Sequence, residues 1–242
     1  MPVLADSDYT SHNVIGKHCI YAHIPKTGGT SIVNALYECG EIPMVRPDGF
    51  GIHCTYGFYP HEFDEFYFTF VRNPFDRIVS SYIHCTENIF RNDYCTTIAK
   101  IDLSFEQWFD MIFRPERAVG INVDFTFPDN FIKLFPTKWY QNNPETFFQF
   151  CFEWMHSFVR LPQIDHIRPK DCPNHYADFI GRFETIEDDW KIVAERLNTD
   201  VKLPHRNRGV KKVDYKDYIT NDIKAVIFDH YHEDFREFGY DW

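Results

Sequence analysis

The amino-acid sequence predicts an α/β fold in which helices flank a central, mostly parallel sheet. Three stretches of the chain, beginning near residues 18, 66 and 178, each combine a short apolar run, a turn and a segment with helical spacing. Repeated strand–turn–helix units of this kind build parallel sheets covered by helices. The 242 residues and the hydrophobic fraction of 44% are sufficient for one domain with a substantial core.

The first unit begins with the apolar run HCIYAHI, residues 18–24, which predicts a buried strand. The apolar residues that follow recur at i, i+3, i+4 and i+7, the spacing of an amphipathic helix, and are Ile32, Ala35, Leu36 and Cys39. The turn PKTGGTS, residues 25–31, therefore joins a strand to a helix.

The second unit begins with FYFTFV, residues 66–71, and continues with signals for a helix start. Asn73 is placed to cap that helix, Pro74 occupies its first position and Asp76 lies in its first turn. Another strand–turn–helix connection is therefore expected here.

The third unit begins with the strand candidate DFIGRF, residues 178–183. Thr185 and Asp188 have the spacing of a capping box, which predicts a helix start. One face of that helix is apolar and consists of Ile186, Trp190, Val193 and Leu197.

The remaining segments complete the expected domain organisation. Helices are predicted over 104–113 and 144–158, and one further helix near the end of the chain with Val226, Ile227, Tyr231 and Phe235 facing inward. We expect residues 1–17 to be an N-terminal extension and 18–242 to be a single domain. Within it, residues 90–145 are a candidate insertion that shapes an acceptor pocket.

Composition narrows the class of protein. The formal net charge of −11 argues against a general nucleic-acid binder and against a wholly basic surface for long polyanions, although a local basic cleft is compatible with it. The seven cysteines form no C-x-x-C pair, and their odd number favours buried thiols in a reducing compartment. The N-terminus has no leader pattern and the chain has no long apolar stretch, so we expect a cytoplasmic protein.

The first turn has the composition of an anion site. Its glycine amides, the hydroxyls of Thr27, Thr30 and Ser31, and the positive end of the following helix would suit a phosphate or sulfate group. Lys26 adds a full positive charge, but it precedes the glycines, unlike the lysine of G-x-x-x-x-G-K-[ST] loops. An ordinary glycine-rich turn with a solvated lysine is the alternative.

The second turn supplies a further candidate for binding an anion. In FVRNPFDRIVSSY, Arg72 lies at the strand exit and Ser80 lies two turns into the helix, so both could meet one anionic group. Two adjacent anion sites suggest a nucleotide with two phosphate positions. The alternative for Arg72 is a salt bridge to Asp76.

PKTGGTS and FVRNPFDRIVSSY together resemble the 5′-phosphosulfate loop and the 3′-phosphate motif of sulfotransferases that use 3′-phosphoadenosine 5′-phosphosulfate (PAPS). The likeness extends to IGRFETIEDDW, LPHRNRG and FDHYHEDFREFGY, which resemble the carbohydrate branch containing heparan and chondroitin O-sulfotransferases. It covers most of the chain from about residue 18, except for the segment from about 90 to 145. It implies the P-loop-like sulfotransferase fold, PAPS as donor and 3′-phosphoadenosine 5′-phosphate (PAP) as product.

The resemblance also assigns expected roles to individual residues. It implies that the 5′ phosphosulfate is held by Lys26, Thr27, Gly28, Gly29, Thr30 and Ser31. Arg72 and Ser80 would bind the 3′ phosphate. Arg206 and Arg208 are candidates for a basic flap over the nucleotide, with a solvated basic loop as the alternative.

Transfer to a hydroxyl requires a general base, and histidine suits that role at neutral pH. His53 in GFGIHCTYGFYP matches the place where the heparan 2-O-sulfotransferase branch carries its catalytic histidine. His61 is the second candidate, and Glu62 or Asp64 could act as base or orient the imidazole. Lys26 would stabilise charge on the departing phosphate, and this chemistry requires no metal ion.

Two other functions remain open from the sequence. A phosphotransferase using ATP would want a lysine after the glycines and an acidic Mg²⁺ ligand at a strand end. A non-catalytic protein could bind PAP or PAPS without turnover. The expected acceptor is a hydroxyl of a carbohydrate, with other alcohols as alternatives. The sequence DHYHED, residues 229–234, is a poor metal site, because the two histidines of H-x-H point to different sides of a helix.

Overall fold

The structure is a computed structural model that describes residues 14–41, 65–84, 103–119, 159–168, 176–204 and 213–242. The strands are β1 (Val14–Ile15), β2 (Cys19–Ala22), β3 (Phe66–Val71) and β4 (Phe179–Arg182). The α-helices are α1 (Gly29–Glu38), α2 (Pro74–Ile83), α3 (Phe105–Phe113), α4 (Gln163–Ile167), α5 (Ile186–Arg196), α6 (Asn221–His230) and α7 (His232–Phe238). Short 3₁₀ helices cover Phe183–Thr185 and Tyr215–Asp217.

The four described strands form one sheet in the order β1-β2-β3-β4. β2, β3 and β4 are parallel, with Ala22 opposite Thr69 and Val71 opposite Arg182. The predicted α/β fold with a mostly parallel sheet is therefore confirmed. Strand β1 pairs antiparallel with β2 and lies within the expected N-terminal extension, so the end of that segment takes part in the sheet.

Helices cover both faces of the sheet because successive strand residues point to opposite sides. On one face, Tyr21 and Phe68 pack with the apolar sides of α1 and α5. On the other face, Ile20 and Tyr67 pack with residues of α4 and α7. The result is a three-layer arrangement in which β2 and β3 are buried on both sides, whereas β4 is mostly half-buried.

A third cluster joins α2, α3, α6 and α7 and is largely aromatic. Trp108 and Phe109 of α3 are fully buried there, next to Phe75 of α2 and Phe235 of α7. In this part of the chain the aromatic residues serve as packing.

Local sequence signals located several boundaries correctly. β3 has the predicted bounds, and the strand predicted over 18–24 is shorter, at Cys19–Ala22. Asn73 caps α2 by accepting a hydrogen bond from the backbone N–H of Phe75 at 2.9 Å. The helix predicted over 104–113 is α3, whose start is closed by a capping box between Ser104 and Gln107.

The predicted capping box of α5 is wrong. Thr185 belongs to a 3₁₀ turn, and its hydroxyl donates to Asp189 Oδ2 at 2.8 Å. The same oxygen accepts from the backbone N–H of Arg182 at 2.6 Å, while Asp188 pairs with Lys191. The carboxylate of Asp189 thus stabilises the turn from β4 into α5.

The single C-terminal helix is also wrong, because the chain forms two helices that meet at Tyr231. The Tyr231 hydroxyl donates to the carbonyl of Val159 at 2.5 Å, and its ring is buried. The inward positions were predicted well: Ile227, Tyr231 and Phe235 are buried, and Val226 is partly buried. The break lets α7 leave the direction of α6 and reach α4.

Several predictions concern residues outside those described, including the helix over 144–158 and most of the segment 90–145. Of the cysteines in the described part, Cys19 is buried, Cys39 is half-buried, and both are free thiols. Within the same ranges, no helix combines the length and the apolar character that a membrane crossing requires.

Candidate functional site

The candidate site lies where the carboxyl ends of the parallel strands meet, the usual ligand position in open α/β sheets. The turn after β2 contributes Lys26 and Gly28, the turn after β3 contributes Arg72, and the turn after β4 contributes Phe183. Arg72 Nη1 donates to the carbonyl of Lys26 at 3.1 Å. Its guanidinium carbon lies 4.0 Å from the centre of the Phe183 ring. Three chain segments therefore converge on the predicted phosphosulfate loop.

The backbone of this loop is unusual at two positions. Lys26 has φ of 72° and Gly28 has φ of 89°. A left-handed conformation is uncommon for lysine and costs conformational energy, which proteins retain mainly at functional positions. At Gly28 a Cβ would also lie 2.5 Å from Ile186 Cδ1, so packing and backbone both require glycine there.

Gly29 is fixed by a different constraint, the imidazole of His23. A Cβ on Gly29 would lie only 1.8 Å from His23 Nε2. His23 is 6% exposed and stacks on Tyr21 with ring centres 5.8 Å apart. The histidine thus supports the start of α1 from the core side. Sequence reasoning missed this role, although the position directly after a buried strand was a signal for it.

The hydroxyl of Thr27 points into the protein interior. Thr27 is fully buried, and its hydroxyl donates to the carbonyl of Ile24 at 2.9 Å. A donor engaged in this bond cannot also donate to an anion, so the backbone N–H is the group that Thr27 could offer. Ser31 is buried and Thr30 half-buried in the first turn of α1.

The N-terminus of α1 is electrostatically different from the other helix starts. Its N-cap residue is Gly28, it has no side-chain cap, and its first turn contains no acidic residue. Each of the other α-helices in the described ranges has at least one acidic residue in its first turn. The first N–H groups of a helix have no intrahelical acceptor, so those of Gly29 and Thr30 carry partial positive charge at an end whose first turn contains no acidic residue.

Arg72 forms the salt bridge that was the alternative to anion binding, and it also reaches the first loop. Its Nε and Nη2 donate to Asp76 Oδ2 at 3.1 and 3.0 Å, which confirms the salt bridge to Asp76. Its Nη1 reaches the Lys26 carbonyl, so the same side chain also borders the first loop. Ser80 is half-buried one turn beyond Asp76, on the helix face that Arg72 crosses. Binding of an anionic group by Arg72 and Ser80 stays a prediction.

The backbone of Arg72 is held by a residue that the sequence did not single out. Gln163 accepts from the N–H of Arg72 at 2.9 Å and donates to its carbonyl at 2.8 Å. Gln163 in turn contacts Asp234, and Arg77 contacts the carbonyl of Pro25. Gln163, Asp234 and Arg77 have no motif of their own, because their partners are distant in the sequence.

Six predicted residues lie outside the described part of the chain: His53, His61, Glu62, Asp64, Arg206 and Arg208. Their roles stay predictions.

The two histidines of the H-x-H sequence contact backbone carbonyl oxygens. His230 Nε2 lies 2.6 Å from Arg160 O, and His232 Nδ1 lies 3.0 Å from Asp229 O. No group of three or more histidine, cysteine, aspartate or glutamate residues suited to a metal ion occurs among the described residues.

Comparison with known proteins supplies one match. The model of a family described as the sulfotransferase family matches residues 16–241. Neither the curated proteins nor the solved structures compared with the chain include a significant match.

Proposed function

The chain belongs to the sulfotransferase family, and from this premise we propose that it transfers a sulfuryl group from PAPS to a hydroxyl of a carbohydrate, releasing PAP. The observation that carries the proposal is the start of α1, where glycine amides lie next to Lys26 and the first turn of the helix contains no acidic residue. A phosphate or sulfate group from outside the chain would supply the missing negative charge. An acid in the first turn would have argued against such a ligand.

Arg72 supports a nucleotide with a second phosphate group. Its guanidinium lies between the Lys26 carbonyl and Asp76, and Ser80 lies on the adjacent face of α2. Arginine can bind phosphate through two parallel hydrogen bonds, and the Asp76 carboxylate would hold the guanidinium ready for them. The 3′ phosphate of PAPS is therefore the group that we assign to Arg72 and Ser80.

In the proposed reaction the acceptor oxygen attacks sulfur in line with the oxygen that bridges sulfur and phosphorus. A new S–O bond forms while the bridging S–O bond breaks, and its electron pair goes to the phosphate of PAP. His53 would take the proton of the attacking hydroxyl, with His61 as the second candidate. Lys26 would stabilise the charge that develops on the departing phosphate.

The acceptor is assigned to the carbohydrates because of the motifs shared with that branch of sulfotransferases. The net charge of −11 favours a small or neutral sugar over a long polyanionic chain, since the latter would be repelled by an acidic surface. The base is assigned to His53 on the same resemblance, so the acceptor and the base need a direct test of turnover.

Ligand binding and sulfate transfer test the proposal in two steps. We expect PAP to raise the midpoint of thermal unfolding, whereas ATP with Mg²⁺ gives a smaller shift or none. We then expect label from [³⁵S]PAPS to appear in at least one member of a panel of sugars and simple alcohols, with the product identified by mass spectrometry. Stabilisation by ATP with Mg²⁺ but not by PAP would contradict the proposal.

The base is tested by His53→Ala, with His61→Ala measured in parallel. We expect His53→Ala to lower the rate of transfer about 100-fold or more while the affinity for PAP stays unchanged. Unchanged turnover in His53→Ala would exclude the histidine as base. Binding of PAP without turnover in the wild-type chain, across the whole panel, would favour the non-catalytic alternative.

A further inference from the structure

A chain of buried polar side chains lies directly behind the two predicted anion sites. Gln163 and Asp234 are fully buried, and Arg77 is 1% exposed. The three residues come from α4, α7 and α2, which are far apart in the sequence. Charged and polar side chains are rarely buried to this extent unless they hold specific partners.

Gln163 extends the pairing of β3 beyond its last residue. Its Oε1 accepts from the backbone N–H of Arg72 at 2.9 Å, and its Nε2 donates to the carbonyl of Arg72 at 2.8 Å. Both backbone groups of Arg72 are thereby fixed by one primary amide, as they would be by a neighbouring strand. The position from which the Arg72 side chain leaves the sheet depends on this amide.

Asp234 holds Gln163 in turn. Its Oδ2 accepts from the backbone N–H of Gln163 at 2.8 Å and lies 3.4 Å from Gln163 Nε2. Its Oδ1 accepts from the backbone N–H of Ile164 at 2.9 Å. Burial raises the pKa of the Asp234 carboxyl, whereas these hydrogen bonds and the charge of Arg77 act to lower it. One carboxylate of α7 thus closes the start of α4 and orients the amide.

Arg77 acts on the other anion site. Its Nε donates to the carbonyl of Pro25 at 3.2 Å, at the entrance to the loop after β2. Its Nη1 and Nη2 donate to the carbonyl of Leu161 at 3.2 and 3.3 Å. The guanidinium therefore ties the loop to the segment that precedes Gln163.

We infer that Gln163 and Arg77 are positioning residues with separate tasks at the two ends of the nucleotide. Gln163, oriented by Asp234, sets the position of Arg72 for the 3′ phosphate. Arg77 sets the position of Pro25 and so of the loop for the 5′ phosphate. The inference rests on the proposed function, because it assigns the 3′ phosphate of PAP to the contacts of Gln163 and the 5′ phosphate to those of Arg77.

The roles of Gln163 and Arg77 are distinguished by ligands that differ in one phosphate. PAP has phosphates at the 3′ and 5′ positions, whereas adenosine 5′-phosphate (AMP) has only the latter. We expect Gln163→Leu to weaken PAP binding about tenfold and to leave AMP binding within about twofold. Lysine has one side-chain nitrogen in place of the three of arginine and cannot reproduce all the hydrogen bonds to the carbonyls of Pro25 and Leu161. We therefore expect Arg77→Lys to weaken the binding of PAP and of AMP by similar factors.

A double-mutant cycle separates positioning from a general structural effect. Because Gln163 acts through Arg72, we expect Gln163→Leu to change PAP affinity by less than about twofold in the background of Arg72→Ala. Asp234→Asn keeps an acceptor oxygen, so it should also weaken PAP binding more than AMP binding, but by a smaller factor. It provides a second variant if Gln163→Leu folds poorly.

Gln107→Leu is the matched control. It removes a glutamine that accepts from the backbone N–H of Ser104 at 2.9 Å on α3. It should lower the midpoint of unfolding without changing the affinity for either ligand. Affinities are measured by calorimetry, with AMP in competition against PAP.

The outcomes separate this inference from the function on which it rests. If the wild-type chain binds PAP, either of two results would overturn the inference. One is an equal loss of PAP and AMP affinity in Gln163→Leu. The other is an undiminished loss of PAP affinity when Gln163→Leu is added to Arg72→Ala. If Arg77→Lys affected PAP alone, its assignment to the loop would be overturned. A wild-type chain that does not bind PAP would contradict the proposed function, and this inference with it.

Discussion

The N-termini of α1 and α2 follow successive parallel strands, yet they differ in their capping side chains and in the charge of their first turns. At α2, Asn73 caps the Phe75 amide and Asp76 supplies a negative charge in the first turn. At α1, glycine occupies the N-cap and the first turn has no acid. The start of α2 is capped by its own side chains, and the start of α1 is the one that we propose binds an anion from outside the chain.

The start of α4, like that of α2, is capped by a side chain of the protein, but here the side chain is distant in the sequence. Asp234, from a helix about seventy residues further along the chain, accepts from the first two N–H groups of α4. Among the described residues, the carboxylates of Asp76 and Asp234 thus lie at the starts of α2 and α4. The comparison supports the proposal that the start of α1 binds an anion, since the starts of α2 and α4 accept hydrogen bonds from side chains of the protein itself.

Adding one methyl group to the α1 start should have the largest effect. Because a Cβ on Gly29 would overlap His23 Nε2, Gly29→Ala must displace the loop or the imidazole. We expect PAP affinity to fall more than about 100-fold, corresponding to roughly 2.7 kcal/mol, in a calorimetric titration.

Gly40→Ala is the control for this variant. Gly40 has φ of 81° at the other end of α1, and a Cβ there would meet nothing within 4 Å. Its replacement should cost stability through backbone strain alone, with PAP affinity retained. Equal affinities for PAP in Gly29→Ala and the wild type would show that the loop geometry is not required.

Closing the α1 start with an internal charge should have the next largest effect. We expect Thr30→Asp to stabilise the folded protein by about 0.3–1 kcal/mol through the helix dipole. It should weaken PAP binding at least about thirtyfold, because two like charges within about 8 Å repel each other by about 2 kcal/mol or more at an effective dielectric constant of about 20.

Asn221→Asp places the same charge in the first turn of α6, away from the site, and serves as the control. It should stabilise the protein without changing PAP affinity. An identical small loss of affinity in both variants would mean that only overall charge is being measured and that the α1 start has no special role.

Opening the α2 start should have the smallest effect on binding. We expect Asn73→Ala to lower the free energy of unfolding by about 1 kcal/mol, because the Phe75 amide loses its acceptor. PAP affinity should stay within about twofold, since the cap is internal. Chemical denaturation and calorimetry on the same sample measure both quantities, and a large loss of affinity with no loss of stability would reverse the roles assigned to the two helices.

Features set by neighbouring residues were accessible from the sequence. The strand Phe66–Val71, the Asn73 cap and the apolar face of α1 all follow from side-chain period and capping, which act over a few residues. The two turns that carry Lys26 and Arg72 could therefore be placed after adjacent strands. Their proximity is visible in the hydrogen bond from Arg72 to the Lys26 carbonyl.

Features set by distant contacts were not accessible. Gln163 and Asp234 meet Arg72 and α4 across separations of 91 and 71 residues, which no local pattern encodes. The inward turn of the Thr27 hydroxyl depends on the carbonyl of Ile24 and on the core around it. The break at Tyr231 depends on its hydrogen bond to Val159. Tertiary packing overrides local helix preference at such positions.

The most direct test of the central claim is a titration of the ¹⁵N-labelled protein with PAP, followed by the backbone amide resonances. We predict that the amides of Gly29 and Thr30 move downfield as they donate to the 5′ phosphate, while the Phe75 amide, already bonded to Asn73, keeps its position. Saturable PAP binding that leaves the Gly29 and Thr30 amides unchanged would contradict the account.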